Sequence, residues 1–271
     1  MKPSIEIRLQ DQINTYAAGS TPNDILNALP VGNRSEIVAA EINGKAVDLS
    51  TPLTESGDLG LITVESAKGL DILRHSSAHV MAQAVKELFS DVKVTIGPSI
   101  EDGFYYDFDT SRPFTPEDLE KIETRMKEIV KSRLPFRRKV MSRDDAIRYF
   151  EEVGETYKVE LIEALDADEV SLYSQGEFTD LCRGPHIPHS GFVKAFKLMK
   201  VAGAYWRGDE HNRMLQRIYG TSFPSKDRLK RHLEIVEEAK KRDHRKLGKE
   251  LDLFSILDEA GPGMVIWHPK G

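Results

Sequence analysis

Residues 71–89 read DILRHSSAHVMAQAVKELF. The run is rich in Leu, Ala, Met, Val and Gln and contains neither Gly nor Pro, which is the composition of a helix. Within it, His75 and His79 are four residues apart, so on a helix they project from one face with their ring nitrogens close together. This stretch therefore predicts a helix that presents two imidazoles to a single ligand.

A second pair of titratable side chains has the same spacing. Cys182, the only cysteine of the chain, and His186 lie in LCRGPH, residues 181–186, where a Gly-Pro loop can turn both side chains inward. Three His and one Cys are suitable ligands for a tetrahedral zinc ion. The same groups could instead act without metal, since one neutral His can take a proton from water while another orients it.

A purely structural role is the alternative for each pair. A single helical His is usually a core or surface residue, and a single buried Cys is usually a small hydrophobe. No Glu follows the first His, as it would in a metalloprotease helix. The shared spacing and the polar neighbours Asp180 and Arg183 favour a joint functional site.

Other residues are candidates for the same site. Lys158 could meet a phosphate or an oxyanion, or be a surface lysine, and Asp180 could bind an amino group or cap a turn. Glycines and aromatic residues nearby could form a pocket wall, although aromatic residues in strands are more often core. The candidate substrate-binding residues are Gly97, Tyr105, Tyr106 and Arg183.

Composition excludes several protein classes. The 271 residues are 39% apolar and 30% charged, which is typical of a globular protein. The net charge of −6 argues against a globally basic nucleic-acid coat, but a local basic patch is compatible with it. No apolar run approaches the roughly 20 residues of a membrane helix, and no signal core begins the chain. A single cysteine fits a reducing compartment, so we expect a cytoplasmic protein without internal disulfides.

Residues 1–65 read as a small β-rich module. Ile5, Ile7 and Leu9 alternate with polar residues, which predicts a half-buried strand. Residues 21–24, TPND, predict a helix start, and Asn43-Gly44 predicts a hairpin between two strands. A last strand follows at about residues 59–64. The order of strands and helix predicts a ubiquitin-like β-grasp fold.

Residues 66–224 predict a larger α+β region that contains both site segments. Residues 66–69 are interpreted as a linker, residues 101–103 as a hairpin turn, and Thr115 and Ser142 as helix caps. A charged helix is predicted over 226–248, either as a solvated face or as a nucleic-acid contact. The apolar tail over 249–271 predicts that the chain is part of a longer protein.

Longer motifs carry a family resemblance. They are RHSSAH (74–79), IGP (96–98), DGFYYD (102–107), DLCRGPH (180–186), GAYWRGD (203–209), LQRIYGT (215–221) and KRDHRK (241–246). Together they resemble bacterial threonyl-tRNA synthetases, in order and over the whole chain. The resemblance implies a TGS β-grasp domain at 1–65, an editing (second additional) domain at 66–224, a linker helix at 225–248, and the start of a truncated class II catalytic domain at 249–271.

The activity that the resemblance implies is editing. The chain would hydrolyse mischarged seryl-tRNA(Thr) to serine and tRNA(Thr), whereas the full-length parent would attach threonine to tRNA(Thr) with ATP. We expect no aminoacylation from this part alone. Editing is needed because serine lacks only one methyl of threonine, and one such group discriminates by about 1–3 kcal/mol.

The resemblance also implies the site. The catalytic set would be His75, His79, Cys182, His186, Lys158 and Asp180. One histidine would position or deprotonate water, Lys158 would hold the terminal ribose, a phosphate or the oxyanion, and Asp180 the substrate amino group. The related alanyl editing domain binds zinc with such a set, and the threonyl family edits without it, so our hypothesis is no tightly bound zinc. The full-length parent would also use ATP, magnesium and a catalytic-domain zinc.

The expected partner is the 3′ end and acceptor stem of tRNA(Thr). We expect binding neither to DNA nor to a membrane. The full-length parent would be a homodimer and this part a monomer. Two other functions remain open. The first is a non-catalytic RNA-binding module that uses the β-grasp domain and the basic helix. The second is a freestanding zinc-dependent aminoacyl-tRNA deacylase, against which the β-grasp module counts.

Overall fold

The computed structural model describes residues 3–29, 32–256 and 264–270. Its contacts divide the chain into two compact units, Met1–Lys226 and Asp227–Gly271, which we describe separately. Helices and separate sheets follow one another along the chain, so the predicted α+β class is confirmed. Among the described helices, none is long and apolar enough to cross a membrane.

The first sheet of the larger unit is built from residues before position 65. Its elements are β1 (Ser4–Leu9), β2 (Gln12–Ala17), α1 (Pro22–Ala28), β3 (Ile37–Ile42), β4 (Lys45–Val47) and β5 (Gly57–Thr63). The strand order is β2-β1-β5-β3-β4, with β1 parallel to β5 and the other pairs antiparallel. This is the β-grasp order. The alternation of β1 buries Ile5, Ile7 and Leu9 in a core shared with Ile25 of α1.

Local signals predicted the turns of this sheet correctly. Thr21 caps α1, and Thr21 and Asp24 satisfy each other's backbone N–H groups in a reciprocal capping box. Asn43 and Gly44 both have positive φ, at 50° and 84°, as the tight turn between β3 and β4 requires.

The linker predicted at residues 66–69 is wrong, because a helix begins there. α2 (Ala67–Leu88) starts directly after β5, and the Ser66 hydroxyl caps it by accepting the Gly69 N–H at 3.1 Å. Gly69 packs on the end of β5 so closely that a Cβ would lie 1.9 Å from the Thr63 carbonyl oxygen. The N-terminal sheet therefore continues into α2 without a flexible connection.

The rest of the larger unit packs around α2. Its elements are β6 (Lys93–Val94), β7 (Ser99–Ile100), β8 (Gly103–Asp109), α3 (Pro116–Ser132), β9 (Arg137–Ser142), α4 (Arg143–Glu152), α5 (Thr156–Glu163), β10 (Glu169–Gln175), β11 (Phe178–Leu181), β12 (Ala195–Tyr205) and β13 (Met214–Phe223). Thr115 and Ser142 cap α3 and α4, as predicted. The predicted turn at 101–103 joins β7 to β8.

Two antiparallel sheets contact α2. One has the order β12-β13-β8-β6, with β7 also on β8, and the other has the order β11-β10-β9. Phe104, Tyr106 and Phe108 point from β8 into the main core, which also contains the buried apolar residues of α2. The helix is buried because apolar and small residues occur on most of its surface. Its histidines are thereby held in the interior, next to the end of β11.

The smaller unit contains α6 (Lys226–Lys241), α7 (His244–Glu250), β14 (Phe254–Ile256) and β15 (Val265–Trp267). The single helix predicted over 226–248 is wrong, since the chain leaves the helix at Arg242 and Asp243. The reason is local, because the Asp243 carbonyl accepts the N–H groups of residues 246 and 247 and starts a second helix. Part of the predicted catalytic-domain segment, residues 257–263, lies outside the described residues. The domain boundaries remain a prediction.

Candidate functional site

Four of the predicted residues converge on one point. His75 and His79 lie on one side of α2 with their ring centres 5.0 Å apart, and Cys182 and His186 lie on the loop that follows β11. His75 Nε2 is 3.0 Å from Cys182 Sγ, which is 3.3 Å from His186 Nε2. One ligand atom from each residue lies within 4.8 Å of the others. The structure thus assembles the cluster from two segments about a hundred residues apart.

The loop after β11 reaches α2 because of its glycine. Gly184 has a φ of 70°, and a Cβ there would lie 2.0 Å from the Tyr173 hydroxyl oxygen. Only glycine fits both constraints without strain. The Gly184 N–H donates to Cys182 Sγ at 3.2 Å, so the turn also holds the thiol in place.

A buried network that sequence reasoning missed orients His186. The Ser76 hydroxyl is 2.9 Å from His186 Nδ1 and accepts the Ile187 N–H at 3.1 Å. Asp48, from the loop after β4, accepts the His186 N–H at 2.7 Å and the Tyr173 O–H at 2.6 Å. Ser76 lies inside the motif at 74–79, which was a usable signal. Asp48 had no such signal in the sequence, because no local pattern connects it to His186, which lies 138 positions away.

One assignment of protons satisfies all of these contacts. His75 Nδ1–H donates to the Gly97 carbonyl at 3.3 Å, and its Nε2 then accepts the Cys182 S–H. His186 Nε2–H donates to the same sulfur, and its Nδ1 accepts the Ser76 O–H. The tautomers follow from the partners of each ring. Both rings are therefore oriented by groups outside the cluster.

Lys158 and Asp180 form a buried ion pair beside the histidines. Each side chain is only 2% exposed. Lys158 Nζ also donates to the Thr95 carbonyl at 2.5 Å and to the Tyr106 hydroxyl at 3.0 Å, and Tyr106 donates to Asp180 Oδ2 at 2.6 Å. Two hydrogen bonds and the ion pair with Asp180 therefore hold the ammonium group inside the protein. His79 Nε2 lies 3.7 Å from the same Asp180 oxygen.

Burial makes the cluster neutral. It lowers the pKa of His75, lowers that of His186 well below its ordinary value, and lowers that of His79 to about 3. It raises the pKa of the Cys182 thiol to about 12. Burial works to raise the pKa of Asp180, but the charge of Lys158 and the other contacts hold it below its usual range. At neutral pH an uncharged cluster therefore adjoins a carboxylate–ammonium pair.

The low pKa of His79 predicts loss of stability in mild acid. The unfolded chain binds a proton at His79 below about pH 6.5, whereas the folded chain resists it until about pH 3. Its contribution is complete above pH 6.5 and disappears as the pH falls through this window. The expected loss from His79 alone is about 2 kcal/mol at pH 5. Urea unfolding of the chain at pH 7.5 and pH 5 measures it, and His79→Gln should show a smaller difference. Equal differences for both proteins would contradict the prediction.

A pocket of about 640 Å³ opens onto this site. Its lining includes His75, His79, Cys182, Gly97 and Arg183, together with Lys158 and Asp180 at its floor. His186 does not line it. Among the three histidines of the cluster only His75 is partly exposed. His79 and His186 are buried, with 3% and 1% of their surface exposed. His75 is consequently the imidazole with the best access to a water or a substrate.

The two predicted tyrosines are placed differently from one another. Tyr106 lies behind the pocket, where its ring meets Gly97 so closely that a Cβ would be 2.1 Å away. Tyr105 points to the opposite face of β8, with the Arg217 guanidinium 3.8 Å from its ring centre and Tyr219 beside it. The structure therefore gives Tyr106 a supporting position and does not bring Tyr105 to the cluster.

The donor set fits a metal ion. Tetrahedral zinc with ligands at about 2.0–2.3 Å needs donors within about 4 Å of one another, which is close to the spacing seen here. The outer nitrogens of His75 and His186 contact a carbonyl and a hydroxyl, as those of metal-binding histidines usually do. His75, His79, Cys182 and His186 could thus hold zinc.

Comparisons with known proteins give the relatives of the chain. Residues 170–219 match the family model described as "Threonyl and Alanyl tRNA synthetase second additional domain". This matched range contains Asp180, Cys182 and His186. The chain is 58% identical over 270 residues to the threonine–tRNA ligase of Syntrophotalea carbinolica, covering 98% of the chain and 42% of that protein. The threonine–tRNA ligase of Methylobacillus flagellatus is 60% identical over 267 residues, with the same two coverages. The chain therefore spans about 42% of the length of these relatives.

Proposed function

Since the chain is homologous to bacterial threonine–tRNA ligases over nearly its whole length, we propose that it edits their product. Its reaction is the hydrolysis of mischarged seryl-tRNA(Thr) to serine and tRNA(Thr), and its partner is the 3′ end of that tRNA. Attachment of threonine with ATP and magnesium is proposed only for a longer protein that contains this chain.

One observation carries the proposal. A neutral, partly exposed His75 lies at the wall of a pocket whose floor holds an ionised Asp180. An unprotonated imidazole can accept a proton from water, and a carboxylate attracts the ammonium group of an aminoacyl ester. This combination suits ester hydrolysis, and nothing in it requires an oxidant or a phosphoryl donor.

His75 would be the group that activates water. The Cys182 thiol is a weak donor, so a water molecule can displace it from His75 Nε2. The water oxygen attacks the ester carbonyl carbon while its proton passes to His75. The carbon–oxygen bond to the ribose then breaks, and the imidazolium returns the proton to the ribose oxygen, leaving serine and free tRNA.

The remaining residues would bind or position. Asp180 holds the substrate ammonium, and Lys158 keeps that carboxylate ionised. A contact of Lys158 with the terminal ribose, a phosphate or the oxyanion stays a prediction. Its ammonium group already makes two hydrogen bonds and an ion pair inside the protein, which supports the positioning role. Arg183, which is exposed at the mouth of the pocket, would contact the terminal phosphate. His186 and Ser76 keep Cys182 in place.

We propose that the cluster works without tightly bound zinc. A zinc ion held by three of the four residues His75, His79, Cys182 and His186 would leave a fourth position for a water with a pKa near 7. The partial exposure of His75 at the pocket supports a role for the imidazole as the base. Metal analysis of the purified chain would overturn this part if it found near-stoichiometric zinc that His75→Ala removes.

Deacylation tests the proposal directly. Seryl-tRNA(Thr) and threonyl-tRNA(Thr), both labelled in the amino acid, are incubated with the chain, and release of the label is followed. We expect serine release at least about 10-fold faster than threonine release, because a pocket shaped for serine must reject one extra methyl. Equal rates, or no release above the buffer rate, would contradict editing.

The alternative RNA-binding role predicts a different result. It requires salt-sensitive RNA binding that survives the loss of Cys182 and His186. In the described part of the smaller unit, basic side chains pair along the helices with acids three or four residues away, as in Lys230–Glu234, Lys241–Glu238 and Lys246–Glu250. These pairs favour a solvated helix surface, so we rank editing first.

A further inference from the structure

A second cavity, of about 740 Å³, lies on the far side of His186. It is separate from the pocket described above, because no residue lines both. Three arginines line it: Arg34 from the N-terminal sheet region, and Arg137 and Arg138 from the start of β9. We call this cavity the arginine groove. No motif in the sequence pointed to it.

In the part of the chain that the structure describes, no arginine of the groove forms a direct ion pair with a carboxylate. Within the described residues, the side chains of Arg137 and Arg138 form no hydrogen bond and no ion pair, and both residues are exposed. Arg34 uses only Nη2, which donates to the side-chain oxygens of Asn23 and Asn27 and to a backbone carbonyl. Other arginines of the same unit are paired, as in Arg112–Asp118, Arg125–Glu87 and Arg213–Asp109.

The two acids of the groove are already engaged. Asp24 completes the cap of α1 by accepting from the Thr21 N–H at 2.9 Å. Asp48 accepts from both His186 and Tyr173, and the charge of Arg138 reaches it through space. The three arginines thus line the cavity without a direct ion pair, and both carboxylates are held by other donors. Guanidinium groups bind phosphate through paired N–H donors.

Apolar residues also line the groove. They are Ile37, Pro135, Phe136, Ile187, Pro188 and Phe192. A cavity lined by apolar residues and a few polar groups is the usual form of a small-molecule site. An inorganic anion would leave the apolar residues uncovered, whereas a nucleobase could cover them while its phosphate meets the arginines.

We propose that the arginine groove binds a nucleoside phosphate, either as a free nucleotide or as one residue of an RNA strand. The phosphate contacts Arg137, Arg138 and the unused nitrogens of Arg34, and the base packs against Phe136 and Phe192. This inference does not rest on the proposed editing function.

The groove adjoins the editing cluster through His186. The Phe136 ring is stacked on the His186 ring, with 4.7 Å between centres and 9° between planes. Asp48 lines the groove and binds the His186 N–H. A ligand in the groove must therefore change the surroundings of that amide, which gives a local readout of occupancy.

The test is a titration of the full 271-residue chain with uridine 5′-monophosphate, inorganic phosphate and hexauridylate. Binding is followed by calorimetry and by the ¹H–¹⁵N resonance of the His186 amide. We expect saturable binding of the nucleotide, at least 10-fold tighter than phosphate, with a shift of that resonance. If hexauridylate binds more tightly than the nucleotide, the natural ligand is one residue of an RNA strand. If the nucleotide binds more tightly, the natural ligand is a free nucleotide. Both results support the site.

Paired variants complete the test. Arg137→Gln/Arg138→Gln should weaken nucleotide binding at least 10-fold, while Lys139→Gln, an exposed change on the same strand, should not alter it. Equal melting temperatures show that the variants are folded. The proposal is overturned if no probe saturates below about 10 mM, if phosphate binds as tightly as the nucleotide, or if the double variant binds unchanged. Deacylation is not measured, so failure here leaves the editing test untouched.

Discussion

Lys158→Met should lower the free energy of unfolding by about 3–5 kcal/mol, the largest stability effect we expect from any single change at the site. Lys158 is the cation that partners Asp180, and both side chains are almost completely buried. Removing it leaves a carboxylate in the interior whose remaining described partners are the Tyr106 hydroxyl and, at 3.7 Å, His79. The thioether also leaves the Thr95 carbonyl without its donor. Urea denaturation at neutral pH measures the loss.

A double variant separates charge from packing in this experiment. Lys158→Met/Asp180→Asn removes the uncompensated charge, so it should recover a substantial part of the stability that the single change loses. Lys127→Met, an exposed lysine on α3, is the matched control and should change stability by less than about 0.5 kcal/mol. A loss below 1 kcal/mol for Lys158→Met would show that the pair does not carry the buried charge described here.

His75→Ala should reduce the deacylation of seryl-tRNA(Thr) by about 10²–10⁴-fold, because it removes the imidazole that we propose as the base. His75 is partly exposed and its ring bonds only to the Gly97 carbonyl and Cys182, so the fold should tolerate the change. Single-turnover rates measure the chemical step, and the melting temperature reports the fold.

Other variants distinguish base from scaffold. His211→Ala removes an exposed histidine far from the cluster in sequence and should leave the rate unchanged. Cys182→Ala should lower the rate less than His75→Ala does, since the thiol only contacts the base. His79→Ala should lower both rate and stability, because His79 is buried beside Asp180. A His75→Ala protein that retains more than a tenth of the rate would remove His75 from the role of base.

Short-range patterns predicted the secondary structure well. The caps at Thr21, Thr115 and Ser142 and the turn at Asn43-Gly44 depend on backbone groups within four residues, so their chemistry is visible in the sequence. Prediction failed where a signal was ambiguous. Gly69 resembled a linker residue, yet it is a glycine because the helix touches the preceding strand. The interruption at Asp243 was missed because the charged periodicity continues across it.

The candidate site was likewise predictable from the sequence only in part. His75 and His79 share a face because helix geometry places residues i and i+4 together, and the spacing of Cys182 and His186 lies within one loop. The sequence by itself therefore determined both pairs. Only the tertiary structure decided that they meet, that Lys158 is enclosed by three acceptors, and that Asp48 and Ser76 orient His186. The hydrogen bonds among these residues join positions that are 52 to 138 apart in the chain. They form because α2 and the sheets bury a common core around polar groups that must find partners there.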